Sequence, residues 1–377
     1  MPRRGAGVGR ATVRSRAADT ARPSGFGFRC ACGSRVTSSR PRPAPLVTVV
    51  LPVRDGAATL EAALRSLAAQ TLSDFEVIVV DDGSSDDSAG VARRWERRDG
   101  RFRLVRTPPG GIVPALQRGL AEARGTLVAR MDADDVCHPA RLATQVDFLQ
   151  RRPDLAGCGT GVRYVPASAV TARAAEYAAW LNAMTTWETV TANVFVECPL
   201  AHPTIMFRAG ALSAVGGYRD RGWPEDYDLL LRLWRHGHRF VSVPRVLLDW
   251  NNRGDRLSRT HPAYSLDAFR ACRVHHVRRS VLTGRSGVVI WGAGPTGKKL
   301  ALECDRQGVA VRAFIEVDPR KIGQVIHGAP VRKPAAAKEL RDALHLGAVA
   351  RSAGRETVRA AAVAEGLADG VDFVAMA

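Results

Sequence analysis

Between Leu46 and Met131 short, β-branched apolar runs alternate with amphipathic stretches. That alternation restricts the chain to a parallel sheet covered by helices. Leu46–Val53 reads as a buried strand, and Ala58–Gln70 as a helix with Leu60, Leu64 and Leu67 on one face and Thr59 at its N-cap. Phe75–Val80, Phe102–Val105 and Gly125–Met131 read as strands, with helices over Asp87–Arg98 and Pro114–Arg124 between them. Ligands of such sheets bind beyond the C-terminal strand ends. Three of those ends are polar: Pro52–Asp55, Asp81–Ser84 and Asp132–Asp135. One turn rich in Asp, Gly and Ser is ordinary loop chemistry; three at one sheet edge point to a pocket.

The third end, M-D-A-D-D-V at Met131–Val136, carries the sharpest chemistry. Side chains alternate along a strand, so Asp132 and Asp134 point the same way and repel unless a cation lies between them. A hard divalent ion such as Mg²⁺ or Mn²⁺, bridged to substrate phosphates, would satisfy both. The competing reading is a helix N-cap, with Asp134 or Asp135 capping a helix over Pro139–Gln150.

Length and charge bound the partners. The 377 residues suggest two domains. Formal net charge is +18, and ten Arg against the single acid Asp19 put half of it in residues 1–45. That leader lacks apolar periodicity and reads as disordered. It shares the composition of an organellar transit peptide, although a start placed upstream of the native one is the favoured reading. The remaining positive charge suits an anionic, phosphorylated substrate, and no nucleic-acid motif accompanies it. The seven Cys make no disulfide framework and read as reduced thiols of a cytoplasmic protein. No run of about 18 apolar residues exists to span a bilayer, which leaves room only for peripheral membrane contact.

The motifs T-V-V-L-P-V-R-D-G-A-A-T-L from Thr48, D-F-E-V-I-V-V-D-D-G-S-S-D through Asp86, and A-R-M-D-A-D-D through Asp135 resemble family 2 glycosyltransferases of the GT-A fold. His202-Pro-Thr-Ile-Met-Phe-Arg, Gly216-Gly-Tyr-Arg and W-P-E-D-Y-D-L-L-L-R-L from Trp223 continue the resemblance in order, over about residues 46–260. The resemblance implies that Pro52, Arg54, Asp55, Asp81 and Asp82 line the nucleotide pocket, with Asp82 accepting from the base. It makes Asp134 the main metal ligand, Asp132 a ligand near the ribose, Asp226 the catalytic base, and Glu225 the residue orienting the acceptor. His202 and Trp223 become candidate acceptor contacts. Pro108–Gly111 and Gln117–Gly119 fall where the family touches the diphosphate. Arg54 departs from the family's usual aromatic or small polar residue, which leaves the base open. The Q-x-x-R-W motif and membrane helices of processive members are absent, which implies transfer of a single sugar. Asn252-Arg253 and Arg256–Arg259 resemble a basic loop that closes over the diphosphate.

Residues 261–285 read as a basic helical connector and 286–377 as a smaller Rossmann-like domain. Gly292, Gly294 and Gly297 follow a strand at Gly287–Trp291 and open a helix through Gln307, and Glu316 and Asp318 lie about 20 residues on. This matches the dinucleotide fingerprint, with room for about two further strands at Leu344–Ala350 and Val371–Ala375. No Tyr-x-x-x-Lys accompanies it, so an NAD-like nucleotide is a weak expectation and the glycines serve close packing equally well. The unit reads as regulatory or scaffolding, separable from catalysis near residue 284.

The chain thus reads as an α/β protein, a GT-A nucleotide-diphospho-sugar transferase followed by a Rossmann-like domain. The expected activity is metal-dependent, inverting, non-processive transfer from a nucleotide-sugar donor to a saccharide or lipid-linked acceptor. A nucleotide-sugar oxidoreductase using residues 287–377, or a nucleotide-sugar binding protein, are the rivals.

Overall fold

The computed structural model describes residues 43–254, 256–350 and 352–376; the leader expected over residues 1–45 falls largely outside them. Residues 44–377 form one compact unit. Its first half alternates as the sequence predicts: β1 (Val47–Val53), α1 (Ala57–Ala68), β2 (Phe75–Asp82), α2 (Ser88–Arg98), β3 (Phe102–Thr107), α3 (Ile112–Glu122) and β4 (Leu127–Arg130). There follow β5 (Val136–Cys137), α4 (Arg141–Arg151), β6 (Leu155–Val165), α5 (Ala172–Asn182), α6 (Trp187–Asn193), β7 (Met206–Arg208), α7 (Ala209–Ala214), α8 (Glu225–Arg235), β8 (Arg239–Asn251), α9 (Leu257–Thr260) and α10 (Leu266–Arg278).

The eight strands form one mixed sheet in the order β3-β2-β1-β4-β7-β6-β8-β5. β3, β2, β1 and β4 run parallel, so the three polar strand ends emerge side by side. β7 is antiparallel to both β4 and β6, and β5 pairs antiparallel with the end of β8. That last pairing folds the far end of the sheet back onto the segment that follows β4. Sequence periodicity missed β6 and β8. Three glycines dilute β6, and Gly157 is required there because a Cβ would meet the Phe207 ring at 2.1 Å. Pro244 interrupts β8, where the β6 register shifts.

Two cap assignments change. Thr59 does not cap α1; its hydroxyl donates back to Gly56 O at 3.2 Å. The helix start is satisfied from a distance, by Ser88 Oγ accepting from Gly56 N and Asp86 Oδ2 from Ala57 N. Neither Asp134 nor Asp135 caps α4, whose N-cap is Ala140 with no side-chain bond.

The second sheet contains β9 (Val288–Trp291), β10 (Val311–Ile315), β11 (Val325–Ile326), β12 (Ala329–Arg332), β13 (Leu344–Gly347) and β14 (Phe373–Ala375), in the order β11-β12-β10-β9-β13-β14. α11 (Pro295–Arg306) and α12 (Ser352–Ala364) make the crossovers. All pairs are parallel except the β11–β12 hairpin, which the sequence reading did not foresee. The two sheets are not separable in the way expected. Val288, Ile290 and Leu300 belong to the same buried apolar cluster as Val47 and Leu230, and Val196 packs into the second sheet's core with Trp291 and Phe373. Polar ties add to this: Gln307 Nε2 donates to Ala271 O at 2.9 Å, Arg359 Nη2 to Ala192 O at 3.0 Å, and Arg273 Nη1 to Met376 O.

Candidate active site

At the first two strand ends the carboxylates are occupied with each other's loops. Asp55 sits at φ 50°, a left-handed conformation that Asp tolerates. Its Oδ1 accepts from Ser85 N at 2.7 Å and Ser85 Oγ at 2.9 Å, which lowers its pKa, while Asp55 N donates to Ser84 Oγ at 3.0 Å. Asp81 is fully buried, accepting from Ser84 N and from Arg106 Nε, both at 3.0 Å. These bonds tie it to the Ser84 turn and to β3. Asp82 takes Gly110 N and Gly111 N at 2.8 Å, one on each oxygen. Its visible task is therefore to hold the Pro108–Gly111 loop over the strand ends. Arg54 is exposed, with its guanidinium 3.7 Å from Asp82, and Pro52 is buried in β1. Gln117 and Gly119 have structural contacts: Gln117 donates to Tyr218 O at 2.5 Å, and a Cβ at 119 would meet Val50 at 2.3 Å.

The third end is different. Oxygens of Asp132, Asp134 and Asp135 all lie within 4.8 Å of one another. Asp135 is fully buried; Oδ1 accepts from Asn251 N at 2.9 Å, and Oδ2 has no hydrogen-bond partner among the described residues. Burial and the neighbouring Asp132 charge raise the pKa of Asp134 and push that of Asp135 well above the carboxylate range. Three crowded carboxylates, one with an orphaned buried oxygen, have the donor chemistry of a hard divalent cation site. The fit extends to Asp135, which the resemblance had not assigned.

The acid pair stands at the start of α8, where the helix dipole favours negative charge. Asp226 Oδ1 accepts from Tyr227 N at 2.7 Å. Glu225 is 3 % exposed; its Oε2 accepts from the Tyr264 hydroxyl at 2.5 Å, and its Oε1 is 3.6 Å from His202 Nδ1. Burial, reinforced for Glu225 by the Asp226 charge, raises the pair to about 7 for Glu225 and about 6 for Asp226. Such values suit groups that exchange protons near neutrality.

The two acceptor candidates are tethered. His202 lies buried, Nε2 bonded to the Tyr218 hydroxyl at 2.8 Å, and burial followed by the Arg130 charge holds it neutral. Trp223 is half-buried with Nε1 donating to Asp228 Oδ1 at 3.2 Å, its ring tilted against His275. Asp228 also accepts from Arg232 Nε at 2.7 Å and His276 Nε2 at 3.0 Å, pinning α8 to α10.

Two arginines join these clusters. Arg130, the last residue of β4, is buried with Nη2 2.5 Å from Asp132 Oδ1, while Nε and Nη1 lack partners among the described residues. Although burial opposes its charge, Asp132 holds it above the ordinary Arg value, and the charge also acts on Tyr218 and Glu225. Sequence reasoning passed over Arg130 as part of an apolar strand. The signal was there: a cation inside L-V-A-R-M needs a buried counter-charge. Arg256, expected in the closing loop, has its guanidinium 4.5 Å from the Trp250 ring centroid and 4.0 Å from Asp132, and donates to Asn251 O.

The glycine-rich turn of the second sheet is built otherwise. A Cβ at 297 would meet Gly292 O at 1.9 Å, whereas one at 294 meets nothing within 4 Å. Glu316, one of the two acids of the fingerprint, is engaged internally: Oε2 accepts from Ala293 N and pairs with Lys321, both at 3.0 Å, and Oε1 accepts from Val317 N. Asp318 is paired with Arg320 at 3.0 Å.

A parallel sheet whose strand ends present this acidic cluster, extended by antiparallel pairings and joined by a helix that opens on an acid pair, has a GT-A-like fold. Residues 48–208 match the family model for glycosyl transferase family 2. The putative glycosyltransferase EpsE of Bacillus subtilis is 28 % identical over 239 residues, covering 61 % of this chain and 82 % of EpsE. The amylovoran biosynthesis glycosyltransferase AmsE of Erwinia amylovora is 29 % identical over 204 residues, covering 50 % of this chain and 69 % of AmsE. Among solved structures, Staphylococcus aureus TarS residues 1–349, in complex with UDP-GlcNAc, superposes with a TM-score of 0.50 at 16 % identity, covering 62 % of this chain and 67 % of that one. That likeness shows the fold.

Proposed function

We propose that this glycosyltransferase moves one sugar from a nucleotide-diphosphate donor to an acceptor hydroxyl by single displacement, with inversion and with a divalent cation as cofactor. The observation that supports this most is the arrangement around Arg130. Its buried charge is paired with Asp132 of the acidic trio and acts electrostatically on Glu225 of the acid pair, which supports reading the two clusters as one site.

Asp132, Asp134 and Asp135 would hold Mg²⁺ or Mn²⁺, which supplies charge neutralisation to the departing diphosphate. The loop Pro108–Gly111, fixed by Asp82, and the turn from Arg54 to Asp55 shape the nucleotide end. Arg256 stands beside Asp132 where a diphosphate would lie. An acceptor hydroxyl is a poor nucleophile, so a carboxylate must take its proton as it attacks. Asp226 fills that role, and Glu225 orients the hydroxyl. One base opposite the leaving group gives inversion, by the logic of base-assisted inverting glycoside chemistry. The acceptor is a saccharide or a lipid-linked saccharide, consistent with AmsE being named for amylovoran biosynthesis. Among the described residues no helix is long and apolar enough to cross a membrane.

The test is a donor screen for nucleoside-diphosphate release with an acceptor mixture, run with Mg²⁺, with Mn²⁺ and with excess chelator. Metal-dependent release from one donor class is the expected result. Undiminished transfer in chelator would remove the metal from the proposal.

A further inference from the structure

We propose that Tyr264 is a positioning residue of the active site, holding the Glu225 carboxylate beside Asp226 from a segment that lies outside the transferase sheet. The inference rests on the function proposed above and adds a residue beyond the segment 48–208.

Three observations carry it. The Tyr264 hydroxyl donates to Glu225 Oε2 at 2.5 Å, a short charge-assisted bond across 39 residues of sequence. Tyr264 is itself held between two capped turns. His261 Nδ1 accepts from Ala263 N at 3.2 Å on one side, and Ser265 Oγ accepts from Ala268 N at 3.2 Å on the other. The following helix, α10, is anchored in turn by His276 on Asp228 and by Arg273 on Met376 O. The phenol therefore approaches Glu225 from a fixed backbone. Finally, burial and the Glu225 charge push the Tyr264 pKa far up, so at neutral pH it is always the donor.

The groups that act on Glu225 come from every side of the pocket. Asp226 adds like charge from its own helix, Arg130 adds positive charge from β4, and neutral His202 faces Oε1. Tyr218 and the buried Cys198 thiol lie within its electrostatic reach. Among the described side chains, Tyr264 donates a hydrogen bond to the carboxylate. The Tyr264 bond favours the ionised form of Glu225 and fixes its direction; without it the carboxyl keeps its proton to higher pH and is free to turn.

The experiment uses the full chain and the donor and acceptor that the wild type accepts. Tyr264→Phe keeps the ring and removes only the hydroxyl. Turnover should drop about tenfold with donor affinity by calorimetry unchanged, and the acidic limb of the rate profile should move alkaline by about one pH unit. Incorporating 3-fluorotyrosine at 264, nearly isosteric and a stronger donor, should move that limb the other way. If Tyr264 acts through Glu225, the loss in Tyr264→Phe with Glu225→Gln should not exceed that of Glu225→Gln alone. Losses that multiply, or pH limbs that stay in place in both Tyr264 variants, would overturn the assignment. A wild type that transfers no sugar would instead overturn the function on which it rests.

Discussion

The two sheets both present acids and tight turns beyond their strand ends, yet they treat their polar groups in opposite ways. Around β4 and α8 the structure leaves groups uncompensated: Asp135 Oδ2 and two Arg130 nitrogens are buried without partners among the described residues, and Glu225 and Asp226 are pushed up towards neutrality. In the glycine-rich turn of the second sheet, Glu316 is satisfied by Ala293 N, Val317 N and Lys321, and its pKa is lowered. Unmet polar groups in a buried place cost stability, so a cluster of them at strand ends is a place where a ligand would relieve that cost. A motif whose acid is already satisfied locally describes a turn. The comparison teaches that acids in the expected order are weaker signs of a site than acids left wanting a partner.

The largest test of that contrast is Asp134→Ala, or removal of divalent ions, which should take transfer to background and weaken donor binding by calorimetry. Retained activity would mean the crowded carboxylates serve the fold. Next comes Asp226→Asn, which keeps shape and hydrogen bonding but cannot accept a proton. Turnover should fall about 10²–10⁴-fold with donor affinity preserved; near-native turnover would move the base to Glu225.

The pH dependence is smaller and has a definite sign. With the pair raised to about 7 and about 6, both carboxyls gain protons as pH falls through that window. The ionised form is the active one, so initial rates should decline from pH 7 to pH 5 while circular dichroism shows the fold intact. A flat profile over that range would exclude the pair from proton transfer. The smallest effects belong to the second sheet. Gly297→Ala forces a Cβ onto Gly292 O and should lower stability by about 1–3 kcal/mol in a denaturant titration. Gly294→Ala enters open space and should leave both melting and transfer close to wild type. A marked loss of transfer in the 294 variant would show that the turn holds a ligand the reaction needs.

Much was legible before any coordinates. The strands β1, β2 and β4, the helices between them, and the crowding of Asp132 with Asp134 at a strand end rest on local rules, side-chain periodicity and turn chemistry, whereas Glu225 and Asp226 were singled out by the family resemblance. Those rules act over a few residues, so a linear reading captures them. The caps show their limit, since Ser88 and Asp86 satisfy the start of α1 from the next loop. The glycine-diluted β6 and the proline-interrupted β8 escaped because their strand character comes from neighbours across the sheet. The Arg130 charge acting on Glu225, Tyr264 donating to it, and His276 pinning Asp228 depend on elements far apart in the chain packing together. The sequence alone supplied the acids and the sheet that aligns them. Burial, which decides whether an acid is paired, orphaned or poised to take a proton, is a property of the packed tertiary structure.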